Sequence, residues 1–366
     1  MLYVHIPFCH HKCTYCAFYS VASRRGREAY VDALCSELYV RRTSKPLRTI
    51  YFGGGTPSHL DLSLLHRVVQ TIRGHYDLSQ LEEATLEANP EDLTEDYLKT
   101  LASWHFFNRI SIGIQSFDDD QLHLLNRVHT GSQAREAVLR AAAWGFDNLS
   151  IDLIMGLPGQ SLRCWENNLD VVASLPMVKH LSCYELTVEP GTILERQLQT
   201  GRVSLADEQT VVAQYQTLQQ WLAPAGFEQY EVSNYCRPGW HSRHNSRYWD
   251  RTPYIGVGAA AHSFDGCRRR WNVADVERYS AVVGQVPYES ETLSSKDAYN
   301  EYIMTALRTV VGIKKKEIPI EFREYLAQAV RPFLIENLLT ETETAYRPTP
   351  QGLLHADGIA ASLFVE

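Results

Sequence analysis

A chain of 366 residues, 45% hydrophobic and 21% charged, has an ordinary globular composition and can bury a large core, most simply as one large domain plus a smaller one. A net charge of −8 and a pI near 6.0 give no broad electrostatic footprint for nucleic acid, and the basic runs Arg268-Arg269-Arg270 and Lys314-Lys315-Lys316 read as solvated edges. No charged and apolar leader precedes the first strand and no apolar run approaches a membrane span, so the expected location is the cytoplasm. Cys35, Cys164, Cys183, Cys236 and Cys267 stand alone in unrelated contexts, which suits reduced thiols in that compartment.

In chain order, the strand Leu2-Tyr3-Val4-His5-Ile6 leads into a loop with Cys9, Cys13 and Cys16. Tyr30, Val31, Leu34 and Leu38 recur at helical spacing, and Thr49-Ile50-Tyr51-Phe52 is a strand that ends in Gly53-Gly54-Gly55-Thr56-Pro57. Leu62 to Ile72 predicts a helix, 84–88 a strand, Leu93 to Leu101 a helix and 109–114 a strand. A helical stretch with Leu122, Leu125 and Val128 and a second helix over 134–144 follow. The strands 149–154 and 180–186 close the series. Strands alternating with helices predict a parallel sheet with helices outside, either an open doubly wound sheet or a barrel. At nearly every strand end stands an unusual residue: the cysteines, the glycines, Glu87, Gln115, Asp152 and Glu185. In a barrel of parallel strands these positions converge on one mouth.

Three cysteines at this spacing can place three thiolates on one face of an iron–sulfur cube, leaving one iron open to a substrate or cofactor. A zinc site or a disulfide pair are the alternatives, although no second Cys-x-x-Cys-like pair appears downstream. A backbone without Cβ atoms at Gly53-Gly54-Gly55 lets a ligand's amino and carboxylate groups approach the main chain, or simply makes a tight turn.

Several stretches together resemble radical S-adenosylmethionine proteins of the coproporphyrinogen-oxidase-like group. They are the cysteine triplet with Tyr15, Gly-Gly-Gly-Thr-Pro, Glu87-Ala88-Asn89-Pro90, Ser111 to Phe117, Asn126-Arg127 and Ile151 to Pro158. The resemblance is dense over the first half and continues to the end. It implies an α/β fold, a partial (β/α)6 barrel with a small C-terminal α-rich, winged-helix-like domain. The corresponding divisions are 1–190 for the barrel, 191–290 for an extension and 291–366 for the last domain. It also implies a [4Fe-4S] cluster on Cys9, Cys13 and Cys16, with S-adenosylmethionine contacted by Tyr3, Tyr15, Gly54, Gly55, Thr56, Glu87, Gln115, Arg127 and Asp152. The residue types fit: Arg127 can pair with a carboxylate, while Glu87 and Asp152 can accept from amino or hydroxyl groups.

Two subfamilies share this half, oxygen-independent coproporphyrinogen III oxidases and haem chaperones. By resemblance, the oxidases carry a fourth cysteine where this chain has Phe18, and a longer segment before the triplet where eight residues precede Cys9. The chaperones carry His-Asn-x-x-Tyr-Trp, which here is His244-Asn245-Ser246-Arg247-Tyr248-Trp249. The expectation is therefore haem binding, with His244 as axial ligand, Tyr248 and Trp249 flanking the macrocycle, and Arg243 and Arg247 meeting the propionates. A hydrogen-bonded loop corner with a core tryptophan is the plainer alternative. Expected partners are haem and haem-acceptor proteins such as respiratory enzymes, with peripheral contact to membrane-bound acceptors and a homodimer both compatible, and no nucleic acid. A radical methyltransferase or ring-opening enzyme acting on haem shares the same front half.

Overall fold

The computed structural model describes residues 1–281 and 284–366, and the strand and helix repeat read from the sequence is there. It runs β1 (Leu2–Ile6), α1 (Arg27–Val40), β2 (Thr49–Gly54), α2 (Leu62–His75), β3 (Glu83–Ala88), α3 (Glu95–Ser103), β4 (Arg109–Gln115), α4 (Asp119–Leu124), α5 (Gly131–Ala143), β5 (Leu149–Met155), α6 (Leu162–Ala173) and β6 (Val178–Glu185). Strands β1 to β6 pair in sequence order and all parallel, as helical crossovers require.

Successive side chains of a strand point to opposite faces, and here the two faces differ in kind. Ile50, Phe52, Leu86, Ile110, Ile112, Ile151 and Leu181 are fully buried on one face, beneath helices such as α2, which offers Leu65, Val68, Val69 and Ile72. Each such side chain contributes roughly 1.5–3 kcal/mol by leaving water. The other face carries Tyr3 and His5, Tyr51 and Gly53, Thr85 and Glu87, Ser111 and Gly113, Asp152, and His180 and Ser182. Parallel sheets usually read as apolar on both faces, so this polar face marks an interior lumen. The sheet curls around it: Glu87 on β3 and Asp152 on β5, two strands apart, sense each other's charge.

After β6 come α7 (Ile193–Gln199), α8 (Glu208–Leu222), β7 (Glu228–Glu231), β8 (Asn234–Cys236), α9 (Arg243–Trp249) and β9 (Ile255–Val257). Strand β8 joins β6 antiparallel with β7 outside it, and β9 joins β1 parallel at the far edge, giving nine strands in all. A three-stranded antiparallel sheet follows, of β10 (His262–Phe264), β11 (Arg268–Asn272) and β12 (Tyr288–Thr292), with α10 (Val276–Ser280) between its last two strands. Tyr215, Leu218, Tyr235, Val257 and Tyr279 belong to the same buried core as the barrel strands. Buried Glu37 on α1 ties the two stretches together, accepting from the Gly258 amide (2.9 Å), Asn272 Nδ2 (2.9 Å) and the Tyr279 hydroxyl (2.7 Å).

A second core forms from Tyr299 onward. It holds α11 (Ser295–Leu307), β13 (Ile313–Lys314), α12 (Arg323–Ala329), α13 (Arg331–Ile335), β14 (Leu339–Glu341), β15 (Ala345–Pro348), α14 (Pro350–Leu354) and α15 (Ala356–Ser362), the strands making an antiparallel sheet in the order β13-β15-β14. The last helical stretch breaks at His355 between α14 and α15, and Ile359, Ala360 and Leu363 enter that core. A break in α4 matters more for the site. Val128, expected to continue its apolar stripe, is exposed, because Asn126 takes a left-handed φ of 59° and turns the chain so that Arg127 enters the barrel.

Candidate functional site

The cysteine loop is held by its backbone. Val21 N donates to Pro7 O (2.7 Å), Cys9 N to Val21 O (3.1 Å) and Thr14 N to Leu125 O (3.2 Å), while Leu194 N donates to Thr14 O (2.8 Å). Asn126 Nδ2 adds a bond to Lys12 O at 3.0 Å. Cys9, Cys13 and Cys16 are all free and half-buried. Burial pushes the Cys9 thiol up and the Cys16 thiol up to about 11, with the neighbouring cysteines adding to both. Three thiols in one loop, with those of Cys9 and Cys16 held protonated by burial, are a donor set that a cationic iron–sulfur cluster relieves by displacing the protons. Arg127 Nη1 lies 3.4 Å from Cys13 Sγ, and Thr56 Oγ1 lies 3.5 Å from Cys9 Sγ.

The glycine turn lies directly against this loop. A Cβ on Gly55 would stand 3.0 Å from Cys9 Sγ and 2.8 Å from the Pro7 carbonyl carbon. Gly54 takes φ of 113°, and a Cβ there would meet the His5 ring at 2.5 Å. Both positions thus need glycine for close approach as well as for the turn. Gly54 N donates to Glu87 Oε2 (3.3 Å) and the Tyr51 hydroxyl to Glu87 Oε1 (2.6 Å). Burial nevertheless raises the Glu87 carboxyl to about 7, and the Asp152 charge adds to the shift. Burial also raises Asp152, against hydrogen bonds from Ser182 and Ser111.

Gln115 ends β4 at a bulge with φ of 73°, a conformation rare for a side chain of its size. Arg127 Nη2 donates to Asn89 Oδ1 (2.7 Å) and to the Gly113 carbonyl, while its buried Nε has no partner among the described residues. Burial opposes its charge, but Cys13, Tyr15 and Glu91 outweigh that and hold it protonated. Tyr3 stacks on Tyr51 deeper in the lumen, its ring centroid 6.2 Å away, and Tyr15 packs with Leu125, Ile154 and Leu157 beside the cysteines. The mouth therefore brings together a thiol trio, a fixed cation, two half-buried carboxyls and a glycine cradle. That set fits a cluster and a zwitterionic, cationic cofactor. Glu185 stands exposed at the end of β6.

The structure places the His244 segment away from this mouth, in a hydrogen-bonded seat. Helix α9 sits at the opposite, amino-terminal end of the strands. Glu83, first residue of β3, accepts from the backbone amides of Arg243 and His244, both at 2.9 Å, and neutralises the start of the helix. The His244 ring is fully buried. Its Nδ1 is paired with Thr49 Oγ1 (2.9 Å) and its Nε2 with the Tyr248 hydroxyl (3.0 Å), and burial lowers its pKa to about 3. Neither nitrogen has a lone pair facing open space. Tyr248 is thus a hydrogen-bond partner of the histidine rather than a free ring, and Trp249 lies under Arg308. Arg243 and Arg247, expected at propionates, are paired with Glu82 at 2.9 and 3.5 Å.

Four site residues did not emerge from the strand-end pattern. Asn89 bridges Arg127 and Thr56, Tyr51 orients Glu87, and Ser111 and Ser182 hold Asp152. Tyr51 and Ser111 share the inward face of their strands with Gly53 and Gly113, so extending the period of two back from those strand ends would have found them, whereas Ser182 lies three positions before Glu185 and is off that count.

The chain matches the model of the Radical SAM superfamily over residues 3–172 and that of the HemN C-terminal domain over residues 293–355. It is 34% identical to the heme chaperone HemW of Bacillus subtilis, covering 96% of each chain. It is 30% identical to that of Escherichia coli, covering 100% of this chain and 98% of the other. The solved structure of the radical SAM coproporphyrinogen III oxidase HemN from Escherichia coli superimposes with a TM-score of 0.85 at 24% identity, over 100% of this chain and 89% of that one. No helix among the described residues is long and apolar enough to cross a membrane.

Proposed function

The chain belongs to the HemW family of the radical SAM superfamily, and from that premise we propose that it is a haem chaperone, binding haem and passing it intact to acceptor proteins such as respiratory enzymes. The observation that carries this reading is the near full-length match to heme chaperones, with the His-Asn-x-x-Tyr-Trp helix part of the matched chain. Phe18 supports it against the oxidase reading: where the oxidases by resemblance carry a fourth cysteine, an aromatic side chain stands 73% exposed. The cytoplasm is the proposed location.

Cys9, Cys13 and Cys16 would hold a [4Fe-4S] cluster, with Gly54, Gly55, Thr56 and Arg127 around an S-adenosylmethionine bound at its open iron. When bound, that pair supplies one-electron chemistry and an adenosyl group. Arg127 supplies a fixed positive charge for a carboxylate beside Cys13. Glu87 and Asp152, half-buried and mutually repelling, offer acceptors to amino or hydroxyl groups. Tyr3 and Tyr51 close the floor beneath them.

Haem capture by His244 requires α9 to leave its seat, breaking the bonds to Thr49 and Tyr248 and freeing the helix start from Glu83. Removing Thr49 Oγ1 by Thr49→Val loosens the seat and leaves the imidazole. Cluster-reconstituted chain incubated with haem should give a histidine-ligated Soret spectrum in the parent and in Thr49→Val, and lose it in His244→Ala. Equal spectra in all three overturn the ligand assignment. In parallel, coproporphyrinogen with S-adenosylmethionine and a reductant should be recovered with all its carboxyl groups. A decarboxylated product would replace the chaperone by the oxidase, and a methylated or ring-opened haem by the third reading.

A further inference from the structure

Beside the cysteine loop, three segments bring together two imidazoles and a carboxylate that the cluster site does not use. His10 follows Cys9 in the loop, His59 closes the short 3-10 turn Pro57–His59 after β2, and Asp92 closes the turn Pro90–Asp92 after β3. One donor atom from each lies within 4.8 Å of the other two. His10 Nε2 is 2.8 Å and His59 Nδ1 3.9 Å from the same Asp92 oxygen, Oδ1. A tetrahedral ion with bonds of about 2.0–2.2 Å keeps its donors roughly 3.4 Å apart, so the two separations straddle what such an ion needs.

His59 supplies the second observation. Its side chain is 6% exposed, and its Nδ1 approaches Asp92 Oδ1 only to 3.9 Å, too long for a hydrogen bond. A buried imidazole normally finds one. This ring instead lies against that of His10, their centroids 3.4 Å apart, and turns Nδ1 toward the carboxylate. Asp92 is oriented from behind by the Ser58 hydroxyl, which donates to Oδ2 at 2.6 Å, as outer partners orient metal-bound carboxylates. Arg27 lies nearby but spends its Nη1 on the His59 carbonyl (3.0 Å) and faces Asp61 at 3.6 Å, while Glu91 adds negative charge beside Asp92.

We propose that His10, His59 and Asp92 form a mononuclear site for a divalent transition ion of the zinc class, distinct from the cluster and fastening the cysteine loop to the turns after β2 and β3. Two imidazoles and one carboxylate suit Zn2+ or Fe2+ and leave a coordination position for water. The site is independent of haem binding and of the chaperone reading.

The test is equilibrium dialysis against Zn2+ with metal analysis, on the full chain whose thiols are already occupied by a reconstituted cluster. One zinc per chain is expected, lost in His59→Leu and in His10→Gln, with the iron content unchanged. Ser58→Ala should weaken the affinity by roughly 10–100-fold. The triple variant Cys9→Ser, Cys13→Ser, Cys16→Ser should still bind one zinc, which separates this site from the thiols. No zinc on the cluster-loaded chain, or one that survives both histidine variants, overturns the proposal. If either histidine variant unfolds early by circular dichroism, Ser58→Ala and the cobalt d–d spectrum of the parent decide it. Octahedral bands typical of Co2+ in water alone would also overturn it.

Discussion

The two ends of the barrel are built on opposite principles. At the amino-terminal end, the chain answers itself: both nitrogens of His244 and both oxygens of Glu83 have partners from the same molecule, and Glu82 takes three arginines, Arg48, Arg243 and Arg247. Arg109, with two buried nitrogens unpartnered, Thr85 Oγ1 and Trp249 Nε1 on α9 are exceptions there. At the carboxyl-terminal end the demands exceed the supply: thiols pushed up by burial, two carboxyls in one lumen, Arg127 Nε without a partner, and left-handed backbone at Gln115 and Gly54. Buried polar groups are normally satisfied and strain is normally avoided, so their concentration at one end marks where an outside group completes the structure.

This contrast can be broken by experiment. The largest effect should come from Cys13→Ala, which removes the cluster's visible absorbance and its stoichiometric iron. The unfolding free energy of the metal-free chain should move by no more than about 1 kcal/mol, because a half-buried thiol facing the mouth supports little else. Loss of folding would mean that the mouth also carries stability. His244→Ala should do the reverse, destabilising the chain by roughly 2–4 kcal/mol through two orphaned hydroxyls and a lost contact with Tyr51, with cluster iron intact. A parallel loss of iron would show that the two ends are coupled.

Glu87→Gln sharpens the comparison by pH. In the metal-free chain Glu87 keeps its proton up to about pH 7, whereas an unfolded glutamate near 4.5 has lost it. The folded state thus binds more protons across that window, and stability falls as pH rises through it. The variant should abolish a decline of about 2–3 kcal/mol between those limits, measured by denaturant unfolding. An unchanged slope would place the proton elsewhere.

Much of the mouth was legible in the sequence because its residues fall at strand ends, where the topology alone brings them together. The alternation of strands and helices, the cysteine loop and the glycine turn need only local pattern. The seat of α9 is not local. Nothing around His244 announces that Thr49, 195 positions earlier, lies under its ring, or that Glu83 caps its helix. A histidine beside aromatics reads the same whether it faces iron or a threonine. His10 and Asp92, 82 residues apart, were equally out of reach, since each alone is an ordinary loop residue. Asn126 shows the same limit at short range, where one left-handed residue ends a helix that the apolar spacing would have continued.

The Glu37 carboxylate sets the smallest piece of this molecule that can stand by itself. Three of its partners come from residues 258, 272 and 279, beyond the last barrel strand. A fragment cut after β6 would leave that carboxylate only Arg41 Nη1, 3.4 Å away, in place of its three shorter bonds, and a buried charge stripped of most of its donors is a costly defect in a core. Truncation from the carboxyl terminus should therefore be tolerated as far back as the junction with the second core, and a protease that nicks before Tyr279 should release unfolded chain rather than a trimmed barrel.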